Sequence, residues 1–191
     1  MKTIRHNVFE TNSSSTHSIA VPKSCSEVKN ITFHVDDFGW GFEEADPADY
    51  FYTAIYATSD NEELVNEKLS KLKTILEERG ISYKFMPVNT HTNTYLGTEY
   101  FYLDNGYIDH GGELGDFVDE LLEDGDKCVR FLSEGLVFTG NDNADSEKRG
   151  FVERYSKYLE TYNWHNKKWE NIKNPYYMEN HKDYEWYDKG N

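Results

Sequence analysis

The apolar positions divide the chain into stretches of helical and of strand period. The clearest is the run from Asp60 or Asn61 to Arg79. Leu64, Val65, Leu69, Leu72, Ile75 and Leu76 recur at three- and four-residue spacing with Lys and Glu between them, which predicts an amphipathic helix closed by Gly80. Asp46-Pro47 is a helix start, an N-cap followed by a proline in the first turn, and predicts a helix over Ala48–Thr58. Glu113–Glu123, with Leu114, Phe117, Val118, Leu121 and Leu122 inward, is a third helix, and Asp126–Ser133 a short fourth. Strands are expected at 4–9, 16–21, 31–35, 81–86 and 136–139. Asp104-Asn105-Gly106 between Tyr100–Leu103 and Tyr107–Ile108 predicts a hairpin, and Thr90–Thr94 a polar loop. Arg154–Tyr162 has a helical pattern. The sum is an α+β fold: a small mixed or antiparallel sheet, about four helices and an aromatic-rich C-terminal segment. Residues 1–150 form the domain that carries the candidate site, and 151–191 an extension.

Composition shapes that outline in two ways. Aromatic residues make up 16% of the 191, which a disordered acidic chain would lack. The charge is −15, from 35 acids and 20 bases. Residues 151–191 hold seven of each sign, so the whole excess lies in 1–150. Asp36–Asp49 and Glu99–Asp126 contain no Lys or Arg. With no basic stripe, most of this surface repels free nucleic acid. Docking onto a basic protein suits such a chain, as does plain solubility. Ten aromatics between Tyr155 and Tyr187, nearly without Leu, Ile or Val, suggest a surface cover or partner contact. Cys25 and Cys128 have no metal or redox spacing and read as reduced thiols of a cytoplasmic protein. No segment reaches the length of a membrane-spanning helix, and the polar N-terminus has no apolar signal region.

The chemistry concentrates in Arg5–Ile19, RHNVFETNSSSTHSI. Ser13, Ser14 and Ser15 beside Asn12 favour turns, because their side chains compete for backbone hydrogen bonds. A turn of that composition gathers hydroxyl and N–H donors and suits a phosphate; it also suits a simple solvated turn. Two further polar nodes follow expected strands: Asp109-His110 and Asn141-Asp142-Asn143. Each alone is ordinary turn chemistry. Together with Arg5, Glu10 and His17 they would make a metal-independent phosphodiesterase site. One of His17 and His110 takes a ribose 2′-OH proton, the other protonates the leaving oxygen, and Arg5 stabilises the phosphorane. Asp109 or Glu10 orients an imidazole, and Asn12, Ser13–Ser15, Asn141 and Asp142 hold phosphate. Glu10, Asp109, His110 and Asp142 are acceptable metal ligands, but no H-x-x-x-H or D-x-D spacing supports a metal, and no cofactor fingerprint is present. Arg, Ser and Glu lie too close together for an ADP-ribosyl transfer site. His6, His34, His91, His165 and His181 fall in no constellation.

The string Arg5–Ser18 resembles the opening of a large family of proteins encoded by phages, plasmids and other mobile elements of low-GC Gram-positive bacteria. Tyr107-Ile108-Asp109-His110 and Thr139–Asn143 look like the same family. Residues 22–98 and those after 150 carry none of its motifs. Some members resemble anti-CRISPR proteins that bind the type II effector nuclease and shorten or destabilise its guide RNA. The resemblance implies a counter-defence protein working in the host bacterial cytoplasm, with that effector and its guide RNA as partner and a ribonuclease site at the N-terminus. Two other readings stay open: a non-catalytic acidic mimic of nucleic acid, and an enzyme of the same fold acting on another nucleotide or phosphorylated substrate.

Overall fold

The computed structural model describes residues 15–39, 43–109, 111–141, 158–173 and 183–189. In chain order the elements are β1 (Ser15–Pro22), β2 (Asn30–Phe33), β3 (Asp37–Phe38), β4 (Glu43–Ala45), α1 (Pro47–Ala57), α2 (Glu62–Glu78), β5 (Ser82–Phe85), β6 (Thr90–Tyr95), β7 (Thr98–Leu103), β8 (Tyr107–Ile108), α3 (Gly115–Glu123), α4 (Gly125–Glu134), β9 (Leu136–Asn141), β10 (Tyr158–Asn163), β11 (Lys168–Lys173) and β12 (Tyr184–Lys189). The fold is α+β, as the periodicities require.

The helices start where polar caps place them. The Asp46 carboxylate accepts from the amides of Ala48 (2.9 Å) and Asp49 (3.1 Å), and Pro47 stands at the first turn. The Asn61 side chain accepts from the Leu64 amide at 2.8 Å and opens α2. Asp124 ends α3 and caps α4, accepting from the Lys127 amide at 3.0 Å.

The central sheet has the order β12-β1-β9-β4, all antiparallel. Ile19 and Val21 on β1, Val137 on β9 and Tyr187 on β12 pack into the core that also holds Phe51 of α1, Phe117 of α3 and Phe131 of α4. The Phe117 and Phe131 rings meet edge to face at 5.3 Å. Each such buried ring contributes about 1.5–3 kcal/mol relative to exposure. A separate parallel pair, β2 and β5, is joined by a crossover that includes α1 and α2.

Four local expectations change. The hairpin joins β6 to β7, not β7 to β8, and turns on Leu96 (φ 51°) and Gly97 (φ 82°). That is the doubly left-handed turn that matches strand twist. β8 instead pairs in parallel with β3, Asp37 opposite Tyr107 and Phe38 opposite Ile108. Tyr158–Asn163 is a strand paired with β11, where a helix is expected up to Tyr162; its Tyr, Thr and Leu suit a pleated surface. Residues 184–189, for which no strand is expected, form β12 at the edge of the central sheet beside β1. The expected strand at 4–9 lies outside the described residues.

A clasp holds β12. The Lys127 ammonium is buried and donates to Glu120 (2.6 Å), to Glu185 (3.1 Å) and to the Tyr187 hydroxyl. Burial disfavours its charge, but these bonds outweigh burial and raise its pKa. Burial likewise raises Glu185, and its bonds from Tyr187 and Lys127 outweigh that and lower it. Among the described residues no helix is long and apolar enough to cross a membrane.

Candidate functional site

The site is built at the end of β1 where that strand leaves the core. Ser15, His17, Ile19 and Val21 alternate onto one face, and register places Ser15 opposite Asn141 and His17 opposite Thr139 on β9. Ile19 and Val21 pack into the core, so the same face carries His17 inward, 1% exposed. Asn141 lies in the last position of β9, not in a turn, and Ser15 opens β1.

The His17 ring is held from two sides. Its Nε2 lies 2.7 Å from the carbonyl oxygen of Asp109, and its Nδ1 lies 3.0 Å from the Tyr50 hydroxyl. A carbonyl only accepts, so Nε2 carries the proton and donates. Nδ1 then accepts from Tyr50. Burial pushes the Tyr50 phenol well above its ordinary pKa, so it remains a donor. The two bonds fix the orientation of the ring and keep a proton on Nε2. Tyr50 comes from the first turns of α1, oriented by the Asp46 cap, and packs edge to face on Phe38 at 5.3 Å.

The Asp109 segment is held independently. Its amide donates to the Phe38 carbonyl at 2.9 Å, which extends the β3–β8 pairing by one bond. Gly39 follows at φ +110°, and a Cβ there would stand 2.8 Å from the Asp109 Cβ and 3.5 Å from the His17 Cε1. Only glycine supplies both that backbone angle and that clearance. Four segments thus meet at one imidazole: the start of β1, the first turns of α1, the β3 exit and the β8 exit.

This geometry revises one expected role. A general acid–base group needs a nitrogen facing the reacting proton. Both His17 nitrogens face protein groups, so His17 fits the role of a positioning residue. It grips the carbonyl of Asp109, and that peptide leads directly into His110. The Asp109 side chain is half-buried. Arg5, Glu10, Asn12, Ser13, Ser14, His110 and Asp142 lie outside the described residues. Of Ser15 and Asn141 the structure gives the strand register alone.

Two residues of the junction have no counterpart in the sequence reading. Tyr50 is one of several aromatics on an apolar helix face, with nothing to distinguish it from core. Gly39 lies in an acidic, glycine-containing loop, and its Phe-Gly-Trp context was the only available signal. Two histidines outside the site are paired: His34 Nδ1 lies 3.1 Å from Asp49 Oδ1, and His91 Nε2 lies 2.5 Å from Asp104 Oδ1. Among the described residues no three His, Cys, Asp or Glu side chains gather as a metal centre would need.

Comparison with known proteins finds no family model, no curated protein and no solved structure that matches this chain.

Proposed function

We propose that this chain is a counter-defence protein of a mobile element that binds the type II effector with its guide RNA and provokes cleavage of that RNA. The observation that supports it is the meeting of β1, Asp109 and β9: His17 bonds the Asp109 carbonyl, and Ser15 faces Asn141 in register. These are the three pieces on which the family resemblance rests. Two of these pieces touch at His17 through the Asp109 carbonyl, and the third reaches β9 two residues beyond the position opposite His17.

In the proposed reaction the ribose 2′-oxygen attacks phosphorus and the bond to the 5′-oxygen breaks. His110 takes the 2′-OH proton and returns a proton to the departing 5′-oxygen. The products are a 2′,3′-cyclic phosphate and a 5′-hydroxyl end. Arg5 and the Ser13–Ser15 hydroxyls hold the phosphate, and His17 holds the segment that carries His110. A general acid–base group is worth about 10²–10⁴ in rate.

One observation favours the mimic reading. Asp116 and Glu123 lie on the exposed face of α3 beside Asp119, Glu120 and Asp126, which pair with Lys68, Lys127 and Arg79, and the face stays acidic overall. Such a face is complementary to a basic nucleic-acid channel and would steer association. The two readings separate in co-purification from a host expressing effector and guide RNA. The enzyme reading expects His110→Ala to bind the effector and leave its RNA full length. The mimic reading expects His110→Ala to inhibit as well as wild type, with RNA intact in both.

A further inference from the structure

The β10–β11 hairpin carries exposed indole rings. Trp164 is 82% exposed and Trp169 63% exposed, with Tyr158 also open to solvent. Both indoles pack against one ring, that of Tyr162: Trp164 at 4.9 Å and Trp169 at 5.4 Å, each edge to face. Tyr162 and Trp169 face each other across the strands, so the rings form one cluster on one face.

The turn beneath them is built, not loose. The Asn163 side-chain oxygen accepts from the His165 amide at 3.0 Å and the Asn166 amide at 3.4 Å. The Asn163 amide donates to Glu170 at 3.0 Å, Asn166 also donates to Glu170, and the Lys168 amide donates back to Asn166 at 3.1 Å. Hydrogen bonds on both sides of the turn fix the position of Trp164 before any partner arrives, which lowers the entropic cost of binding.

Charge decides what the partner is. The tip Trp164–Lys168 holds Lys167, Lys168 and His165 and no acid. Over 158–173 three lysines stand against Glu160 and Glu170, a charge of +1. The rest of a chain of charge −15 therefore carries −16. Protein interfaces favour Trp and Tyr but are depleted in Lys. Exposed aromatics interleaved with Lys are the composition of a stacking platform, where bases lie on rings and phosphates meet ammonium groups.

We infer that the β10–β11 hairpin binds a short single strand of RNA, with bases stacked on Trp164 and Trp169 and phosphates on Lys167 of the turn and on Lys173, which shares the Trp169 face of β11. The choice of RNA over DNA rests on the function proposed above; the platform does not. The acidic remainder limits the footprint to two or three phosphates. At about −0.7 per phosphate, affinity falls roughly tenfold between 50 and 200 mM salt.

The test is a tryptophan-fluorescence and anisotropy titration of the full chain with a labelled twelve-residue oligouridylate at 50 and 200 mM salt. Trp164→Ala is expected to weaken binding roughly 5- to 150-fold, the range for one base–aromatic stack. Lys167→Glu with Lys173→Glu is expected to weaken binding and flatten the salt dependence. Trp164 lies in an exposed turn, and an unchanged thermal midpoint will show that its variant is folded. The inference fails if wild type does not bind the oligouridylate at 50 mM salt, or if Trp164→Ala binds it equally. It also fails if only oligothymidylate binds, or if the variant loses only RNA-free effector protein. The readout is binding of the oligouridylate, so its outcome does not depend on whether guide RNA is cut.

Discussion

Replacing Tyr50 with Phe removes one oxygen and keeps the ring. The ring is fully buried, and its contact with Phe38 survives. What is lost is the 3.0 Å bond to His17 Nδ1. A neutral hydrogen bond contributes about 0.5–1.5 kcal/mol net, and a buried acceptor deprived of its donor adds a desolvation cost, for a total of about 1–3 kcal/mol. For a chain of this size each kcal/mol moves the midpoint by about 2–4 °C, so Tyr50→Phe should melt roughly 2–12 °C below wild type. Tyr83→Phe is the control. Its hydroxyl bonds Glu77 at 2.6 Å at an exposed site and should cost no more than about 0.5 kcal/mol. Urea unfolding with unchanged slope supplies the difference directly. Long-range proton–nitrogen NMR of the His17 ring should show the proton on Nε2. A Tyr50→Phe protein as stable as wild type, or an Nδ1-protonated ring, would refute the junction as described.

The same packing fixes other outcomes. Gly39→Ala meets the Asp109 Cβ at 2.8 Å on a φ of +110° and should cost more than about 2 kcal/mol, whereas Gly97→Ala, in open space, should cost only about 1 kcal/mol of backbone strain; paired denaturation curves compare them. Burial pushes the Cys128 thiol up to about 12, so at pH 8 only about one molecule in 10⁴ is thiolate. A disulfide reagent should therefore label half-exposed Cys25 and reach Cys128 only on unfolding. The β12 clasp has a pH window. The lowered Glu185 contributes stability above its unfolded pKa of about 4.3 that is lost as pH falls through the folded value; the raised Lys127 contributes below about 10.4 and is lost as pH rises through its folded value. Hydrogen-exchange protection of β12, corrected for intrinsic rate, should hold between these limits and drop below pH 4, and Glu185→Gln should remove the acid-side change.

The helices were legible because their signals are local. Asp46-Pro47, Asn61 and the apolar stripe of α2 act within a few residues of themselves, and the observed ends differ from the expected ones by one or two positions. Pairings between distant strands have no such signature. The Asp104-Asn105-Gly106 turn is polar and bent, as its residues demand, but β8 is only two residues long and finds β3 because Gly39 and Gly106 allow the close approach. β6 reads as a loop because Thr90–Tyr95 has no buried face. β12 escapes notice because Tyr187, which packs on Phe117, lies among polar and aromatic residues, and its anchor is a lysine on another element. At the candidate site the polar residues were conspicuous and their support was not. His17 and Asp109 stand out in the sequence, whereas the hydroxyl and the glycine that hold them look like ordinary core and loop.

The central claim is decided by the fate of guide RNA. Purified protein is mixed with effector loaded with guide RNA labelled at either end, in the presence of a chelator, and the RNA is resolved on a denaturing gel over time. Wild type should yield a shortened RNA ending in a 2′,3′-cyclic phosphate, His110→Ala should lose about 10²-fold or more in rate, and His17→Gln, which can still donate to the Asp109 carbonyl, should retain more activity than His17→Ala. Guide RNA that stays full length with excess wild-type protein would contradict that claim.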